Sequence, residues 1–226
     1  MSITAVLPAA GVGKRFGGDT KKQFAEFKGH SVLFYSLKCL KDAYDFEEFI
    51  IGASKEDFEI VQKTAESLNL KYRIVEGGEE RWQTVLNCLL EVRTPYVLIH
   101  DAVRPFVSKE TTVSVINTGK EYGACICCVP VTDTLKKVTG DVVDFTAPRS
   151  DFVLSHTPQV FELEKLIIAV GNASKRSLEI TDEAMAMELA GYTVKHVPSS
   201  QENIKITYAS DVERVRCLMG KYHGNL

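Results

Sequence analysis

The hydrophobic pattern of the chain changes period repeatedly, and this alternation predicts its fold class. Short apolar runs are followed by longer segments in which apolar residues recur at helical spacing. The short runs predict buried strands at 3–7, 49–53, 72–75, 96–99, 124–129 and 193–197. Strands that alternate with helices are typical of α/β proteins, so we predict a mostly parallel sheet with helices on its faces.

Polar residues and glycines mark the ends of the predicted helices. The predicted N-caps are Ser31, Ser108, Thr181 and Ser210, the last of which forms a capping box with Glu213. Gly123 and Gly191 are predicted to end two of these helices. Two more helices are predicted, one over 56–68 and one that carries the apolar residues of 85–90.

The region 130–155 breaks this rhythm. Polar and apolar residues alternate over 131–138 and 142–146, on either side of a Gly140-Asp141 turn, which predicts a two-stranded hairpin. Such a hairpin is marginally stable alone in water, so it needs a surface to pack on. We predict a single domain over 1–226 with a β-arm at 130–155, and a second subunit is the natural candidate for that surface.

The bulk composition limits the partners of the chain. Its 226 residues are 45% hydrophobic and 25% charged, with a formal net charge of −3 and a pI near 6.0. This charge supplies no field that would attract nucleic acid, so affinity for phosphate must come from a local cluster of cations. The composition favours a small anionic ligand over a polymer.

The location of the chain is predicted from what its sequence lacks. No apolar run approaches the roughly 18 residues of a membrane span, and the first residues lack the basic and apolar regions of a signal peptide. We predict a cytoplasmic protein with no membrane partner. Three of the six cysteines, Cys125, Cys127 and Cys128, fall in a predicted buried strand, where cysteine acts as a small hydrophobic residue.

A turn of small residues after the first predicted strand carries the candidate chemistry. The segment 8–18 exposes backbone N–H groups and contains the cations Lys14 and Arg15, and Lys22 follows closely. Phe16 stands where the dinucleotide fingerprint needs glycine, and Arg15 follows Gly13-Lys14 where the Walker motif needs serine or threonine. The segment matches neither motif, but its backbone N–H groups and cations fit polyphosphate binding. The alternative is an ordinary surface turn with solvated cations.

Further motifs occur in order along nearly the whole chain. The five main ones are Pro8-Ala9-Ala10-Gly11-Val12-Gly13-Lys14-Arg15, Lys22-Gln23-Phe24, Gly77-Gly78-Glu79-Glu80-Arg81, His100-Asp101-Ala102-Val103-Arg104-Pro105 and Thr181-Asp182-Glu183-Ala184. Together they resemble the 2-C-methyl-D-erythritol 4-phosphate cytidylyltransferases. The resemblance implies a Rossmann-like fold of the nucleotide-diphospho-sugar transferase type. It also implies Mg²⁺-dependent transfer of CMP from CTP to the methylerythritol phosphate, with release of pyrophosphate, in the non-mevalonate isoprenoid pathway.

The resemblance assigns roles to individual residues of this chain. Arg15 and Lys22 match the cationic pair that stabilises charge on the α-phosphorus, and Asp101 matches an aspartate beside the ribose and the Mg²⁺. The residues that match nucleotide-binding positions are Ala9, Ala10, Gly11, Gly13, Gly78, Glu79, Thr84, Asp101 and Ala102. Arg81 is interpreted as structural. Lys21 replaces a usual proline, which predicts a looser loop.

A second group of residues matches the acceptor site of the family. These residues are Arg104, Thr134, Arg149, Thr157, Thr181 and Lys205. Hydroxyl groups suit a polyol, and cations suit its phosphate. The resemblance implies a homodimer in which Thr134 and Arg149 come from the β-arm of the partner subunit.

Two other functions are compatible with parts of the pattern. Ribitol 5-phosphate cytidylyltransferases share the His-Asp-Ala-Val-Arg-Pro and Thr-Pro-Gln motifs, whereas Pro8-Ala9-Ala10-Gly11 and the motif 180–184 favour the methylerythritol branch. A catalytically silent nucleotide-binding protein would be expected to lose Arg15, Lys22 or Asp101. All three residues are present.

Overall fold

A computed structural model gives the architecture of residues 1–11, 21–175, 180–208 and 210–222. The strands are β1 (Ile3–Pro8), β2 (Glu26–Phe27), β3 (His30–Ser31), β4 (Phe49–Ala53), β5 (Tyr72–Glu76), β6 (Tyr96–Ile99), β7 (Ala124–Pro130), β8 (Leu135–Thr139), β9 (Val142–Ala147), β10 (Val153–Glu162) and β11 (Lys195–Pro198). The α-helices are α1 (Val32–Ala43), α2 (Phe58–Ser67), α3 (Arg81–Leu89), α4 (Lys109–Tyr122), α5 (Leu163–Lys175), α6 (Glu183–Leu189) and α7 (Asp211–Tyr222). Short 3₁₀ helices cover Lys22–Phe24, Lys55–Asp57 and Arg149–Asp151.

Seven strands form one sheet in the order β11-β7-β10-β6-β1-β4-β5. All neighbouring pairs are parallel except the two that β10 makes, with β6 and with β7. The prediction of a mostly parallel sheet is therefore confirmed. The predicted strands 49–53 and 96–99 have the observed bounds, and the one predicted at 193–197 begins two residues later, at Lys195.

The sequence reading missed the ten-residue strand β10. Its middle contains His156, Thr157 and Pro158, and proline is unusual inside a sheet because it cannot donate a ladder hydrogen bond. The structure accommodates Pro158 where the register of β10 against β7 shifts, between His156 and Gln159. Helix α5, which follows directly, was also not predicted.

The helix caps agree with the sequence at most positions. The hydroxyl oxygens of Ser31 and Ser108 accept hydrogen bonds from the third residue of α1 and of α4, and Gly123 ends α4 with φ of +86°. The predicted N-cap Thr181 is wrong by one residue, because the side chain that accepts from Met185 N–H belongs to Asp182. Helix α7 begins at Asp211, directly after Ser210.

Helices cover both faces of the sheet and bury two apolar clusters. One cluster joins the sheet to residues of α1, α2, α4 and α7, and the other joins it to residues of α3, α5 and α6. The cysteines of β7 are buried and unpaired, as the sequence predicts. Of the helices in the described ranges, none is both long and apolar enough to span a membrane.

The predicted hairpin is present as β8 and β9, joined at Gly140 with φ of +59°. It forms its own two-stranded sheet, separate from the main one. Its apolar side chains are largely exposed, with 62% exposure at Val142, 55% at Val143 and 56% at Phe145. The exposed apolar side chains continue into the start of β10 at Val153 and Leu154.

Candidate active site

The site lies at the carboxyl ends of β1 and β6, neighbouring strands at the centre of the sheet. The chain moves from β1 to β4 and β5 on one side, and then returns to place β6 on the other side. Ligands of open α/β sheets bind at such a reversal of strand order. A cleft of about 350 Å³ opens there, lined by Pro8, Ala9, Ala10, Gly11, Lys22, Gln23, Gly78, Glu79, Glu80, Arg81, Thr84, Asp101, Ala102, Val103, Lys205 and Thr207.

Gln23 fixes the first loop of the cleft. Its side chain is 2% exposed, and its Nε2 donates to the carbonyl oxygens of Ala9 at 2.7 Å and Gly11 at 3.0 Å. The backbone of Ala9 in turn donates to the carbonyl of Gly52 at the end of β4. Because Gln23 follows Lys22 directly, the same contacts hold Lys22 at the edge of the cleft.

Lys21 has a different position from its neighbour Lys22. Its Nζ lies 2.6 Å from a carboxylate oxygen of Glu56 and 2.6 Å from one of Asp57, next to the start of α2. Burial alone would lower the pKa of Lys21, but the hydrogen bonds to Asp57 and Glu56 raise it. Lys21 therefore has two carboxylate partners, whereas the preceding loop, which the expectation of a looser loop concerns, lies at 12–20, outside the described residues.

The second loop of the cleft, at 77–80, fits closely against the first. A Cβ atom at Gly77 would lie 2.2 Å from the Cβ of Ala10, so glycine is required for the approach of the two loops. The hydroxyl oxygen of Thr84 accepts from the backbone N–H of Gly78 at 3.0 Å. Thr84 is 2% exposed, and it therefore supports the loop from below.

Asp101 is the anionic centre of the site. Its Oδ1 lies 3.2 Å from Arg81 Nε, and its Oδ2 lies 2.9 Å from Lys205 Nζ and 3.3 Å from Arg104 Nε. Burial alone would raise the pKa of Asp101, but the charges of Arg81, Lys205 and Arg104 hold it well below its usual range. Asp101 is therefore ionised, and it gathers three cations from three parts of the chain.

A buried chain of hydrogen bonds through His100 and Thr157 holds the backbone of Asp101. Burial lowers the pKa of His100 to about 4, so its imidazole is neutral at physiological pH. His100 donates from Nε2 to the carbonyl of Arg104 at 2.9 Å, which leaves Nδ1 to accept from the Thr157 hydroxyl at 3.1 Å. The hydroxyl oxygen of Thr157 accepts from the backbone N–H of Asp101 at 3.0 Å.

Arg81 and Glu183 form a contact that sequence reasoning did not find. Both carboxylate oxygens of Glu183 accept from Arg81, at 2.7 Å and 3.0 Å, and Glu183 is 2% exposed. Burial alone would lower the pKa of Arg81, but the charges of Glu183 and Asp101 raise it further above its usual value. The two residues are 102 positions apart, and no local pattern in the sequence connects them.

The structure brings together ten of the predicted site residues as cleft lining. These are Ala9, Ala10, Gly11, Lys22, Gly78, Glu79, Thr84, Asp101, Ala102 and Lys205. Arg104 and Thr157 are buried, and both contact Asp101. Gly13 and Arg15 lie outside the described residues.

Three predicted acceptor residues lie away from the cleft lining. Thr134 and Arg149 are exposed residues of the arm, where Arg149 donates to the carbonyl of Thr132. Thr181 is exposed just before α6. Within one chain, the described structure does not bring the arm residues to the cleft.

The predicted metal ligand Asp101 contacts cationic side chains through both of its carboxylate oxygens. Oδ1 contacts Arg81, and Oδ2 contacts Lys205 and Arg104. Since a carboxylate oxygen has two lone pairs, Oδ1 can accept a metal ion beside Arg81. Among the described residues, no group of three acidic, histidine or cysteine side chains is arranged to hold a metal ion. A Mg²⁺ ion bound to a triphosphate needs only one or two protein carboxylates, so Asp101 alone remains its predicted protein ligand.

Comparisons with known proteins agree with one another. Residues 3–221 match the family model described as "IspD: 2-C-methyl-D-erythritol 4-phosphate cytidylyltransferase". A curated protein of that name from Solibacter usitatus is 36% identical over 228 residues, which cover 94% of this chain and 93% of the relative. Another, from Bacillus cytotoxicus, is 36% identical over 214 residues, which cover 92% and 94%.

Solved structures show the same similarity in three dimensions. The 4-diphosphocytidyl-2C-methyl-D-erythritol synthase of Anaerococcus prevotii has a TM-score of 0.87 and 27% identity, covering 96% of each chain. The 2-C-methyl-D-erythritol 4-phosphate cytidylyltransferase of Francisella tularensis has a TM-score of 0.81 and 29% identity, covering 96% of this chain and 99% of its own.

Proposed function

The chain belongs to the 2-C-methyl-D-erythritol 4-phosphate cytidylyltransferase family, and we propose that it transfers CMP from CTP to 2-C-methyl-D-erythritol 4-phosphate. A phosphate oxygen of the acceptor attacks the α-phosphorus of CTP, and the bond from that phosphorus to the pyrophosphate leaving group breaks. The products are pyrophosphate and 4-diphosphocytidyl-2-C-methyl-D-erythritol. The proposal depends on the match of nearly the whole chain to one enzyme family.

The cleft supports binding of the nucleotide between its two loops. The loop at 8–11 presents small residues against which phosphate groups can approach the backbone closely. The loop at 77–80 offers backbone groups of Gly78 and Glu79 for the edge of the cytosine. Thr84 positions Gly78 through its hydroxyl, and we assign it this supporting role in nucleotide binding.

Cations at the cleft suit the charge that develops during the reaction. Two phosphorylated reactants repel each other, and additional negative charge builds up on the α-phosphorus as the new bond forms. Lys22 lines the cleft and is proposed to stabilise that charge together with Arg15. Lys205 and Arg104, held by Asp101, are proposed to receive the acceptor phosphate.

The remaining acceptor residues are proposed to come from two chains. Thr157 and Thr181 belong to the same chain as the cleft, whereas Thr134 and Arg149 would come from the arm of a partner in a homodimer. The exposed apolar side chains of the arm, Val142, Val143 and Phe145, support an interface there. The dimer would thus complete the acceptor end of each cleft.

Magnesium dependence, which follows from the family resemblance, and a cytoplasmic location, which follows from the sequence pattern, remain parts of the proposal. When bound, Mg²⁺ would neutralise charge on the triphosphate. Asp101 would be the protein ligand of that Mg²⁺, and the triphosphate and water would supply its other oxygens.

An assay of pyrophosphate release with two acceptors tests the proposed function. The purified protein is incubated with CTP, Mg²⁺ and either 2-C-methyl-D-erythritol 4-phosphate or ribitol 5-phosphate. We expect pyrophosphate mainly with the methylerythritol phosphate, as the names of the relatives support. Release with ribitol 5-phosphate alone would reverse the assignment, and CTP binding without release from either acceptor would indicate a silent homologue.

A further inference from the structure

The guanidinium group of Arg81 joins three elements of the site. Arg81 begins α3, directly after the loop at 77–80, Glu183 begins α6, and Asp101 follows β6. The Nη1 and Nη2 atoms of Arg81 donate to Glu183, and its Nε donates to Asp101. Each of the three guanidinium nitrogens therefore has a carboxylate partner.

This geometry defines what Arg81 can do. A guanidinium held by two parallel hydrogen bonds to one carboxylate has a fixed plane and direction. Because Glu183 holds the outer edge of the group, the Nε–H remains directed at Oδ1 of Asp101. Glu183 thus prevents Arg81 from turning toward phosphate groups in the cleft, and Arg81 in turn keeps Oδ2 of Asp101 toward Lys205 and Arg104.

A second carboxylate, that of Asp182, already anchors α6 to the sheet. Anchoring the helix and contacting Arg81 are therefore the roles of different residues. Asp182 accepts from Ser155 at 2.9 Å and from Gln159 at 3.0 Å, both on β10, and it also caps the helix. The attachment of α6 to the sheet therefore does not depend on Glu183 alone. Glu183 is directed to the other side, toward the cleft residue Arg81.

We propose that Glu183 is a positioning residue for the reaction, acting through Arg81 on Asp101. Through this contact, the start of α6, next to Thr181, is connected to the nucleotide end of the cleft. The proposal relies on the function proposed above, because it assigns the three-residue contact to the same CMP transfer. Its consequence is that Glu183 controls turnover although it touches neither substrate.

The test is a double-mutant cycle on Glu183→Gln and Arg81→Lys, measured by pyrophosphate release from CTP and the methylerythritol phosphate. Lysine keeps the charge of Arg81 but cannot hold two carboxylates in a fixed plane. Each single variant is expected to lower kcat on the order of tenfold to a hundredfold, with the Kd of CTP changed about threefold or less. The double variant is expected to be no slower than the slower single variant, since both changes break one chain of contacts.

The matched control is Glu188→Gln, which makes the same substitution at an exposed position of α6. Thermal unfolding of every variant separates positioning from stability, because a purely structural role lowers Tm and leaves the kcat of folded protein unchanged. If Glu183→Gln does not fold, Glu183→Asp, which keeps the charge but shortens the reach to Arg81, replaces it in the cycle.

Two results would overturn the proposal. One is a kcat of the folded variants within about twofold of the Glu188→Gln control, and the other is a double variant whose loss is the product of the two single losses. An unmodified protein that releases no pyrophosphate would instead contradict the proposed function, so the two failures are distinguishable.

Discussion

The cleft and the β-arm are built in opposite ways. At the cleft, Asp101 is 5% exposed and contacts three cations, and the buried residues Gln23 and Thr84 hold the two loops with hydrogen bonds. In the arm, Val142 and Phe145 are more than half exposed, and among the described strands β8 and β9 pair only with each other. The comparison indicates that the described residues of one chain form a closely bonded cleft, whereas the arm presents an exposed apolar surface that we propose a partner covers.

Deleting 132–146 should give the largest effect, because it removes most of the arm and leaves the cleft residues in place. The deletion removes Thr134 and the exposed apolar residues of β8 and β9, and it includes no residue of the seven-stranded sheet. We expect a monomer that still binds CTP and has no measurable turnover, because the acceptor end of the cleft is incomplete. Sedimentation velocity, CTP titration and pyrophosphate release measure the three properties, and a fully active monomer would refute the role of the arm.

Substituting Lys22 by alanine tests the cleft itself. Loss of one cation near the reacting phosphorus is expected to lower kcat on the order of 10²-fold, with a smaller loss of CTP affinity. The matched control is Lys55→Ala, since Lys55 is an exposed cation that pairs with Glu76 outside the cleft lining. An unchanged kcat for Lys22→Ala counts decisively against its role.

Substituting Asp101 by asparagine tests the buried charge cluster. Three cations would lose their shared partner, and we expect the free energy of unfolding to fall by about 3–5 kcal/mol at pH 7. Denaturant unfolding measures this, with the surface variant Asp45→Asn expected to change it by about 0.5 kcal/mol or less. A loss no larger than that of the control would show that the cluster does not stabilise the fold.

The pH dependence of stability follows from the same residue. The pKa of folded Asp101 lies below its unfolded value of about 3.9. The contribution of Asp101 to the free energy of unfolding is therefore fully present above that pH. As pH falls through the lower, folded-state pKa, this contribution is lost. The unfolding free energy of the unmodified protein should therefore fall more steeply below about pH 4 than that of Asp101→Asn, and equal slopes would contradict the pKa assignment.

Removing the Thr84 hydroxyl should give the smallest effect. Thr84→Val leaves the Gly78 N–H without its partner, and we expect the KM for CTP to rise about threefold to tenfold with little change in kcat. Thr84→Ser retains a hydroxyl and should behave like the unmodified protein. Equal KM values for the two variants would show that this hydrogen bond does not position the loop.

Local signals in the sequence explain which parts of the fold were predictable. Strands 49–53 and 96–99 are continuous apolar runs, and Ser31 and Ser108 precede clear helical periods, so both classes of prediction are confirmed. Strand β10 was missed because Pro158 argues against a central strand, and the shift of register that accommodates it is a tertiary feature.

At the site, too, contiguous motifs were predictable from the sequence, whereas contacts between distant positions were not. Motifs at 8–11, 22–23 and 100–104 identified the segments that meet at the cleft, because each is contiguous in the chain. The contact of Arg81 with Glu183 and the contact of Lys21 with Glu56 and Asp57 join distant positions. The sequence alone predicts only a structural role for Arg81, and it identifies no partner for Lys21.

A complementation experiment tests most directly the claim that the arm of one chain completes the cleft of another. Arg149→Ala and Lys22→Ala proteins, each inactive alone, are co-expressed so that mixed dimers form. If Arg149 acts on the partner's cleft, each mixed dimer contains one intact site, and random pairing should restore about a quarter of the unmodified activity. Recovery of that fraction is the predicted result, and a mixture as inactive as its two components, despite mixed dimers, would contradict the account.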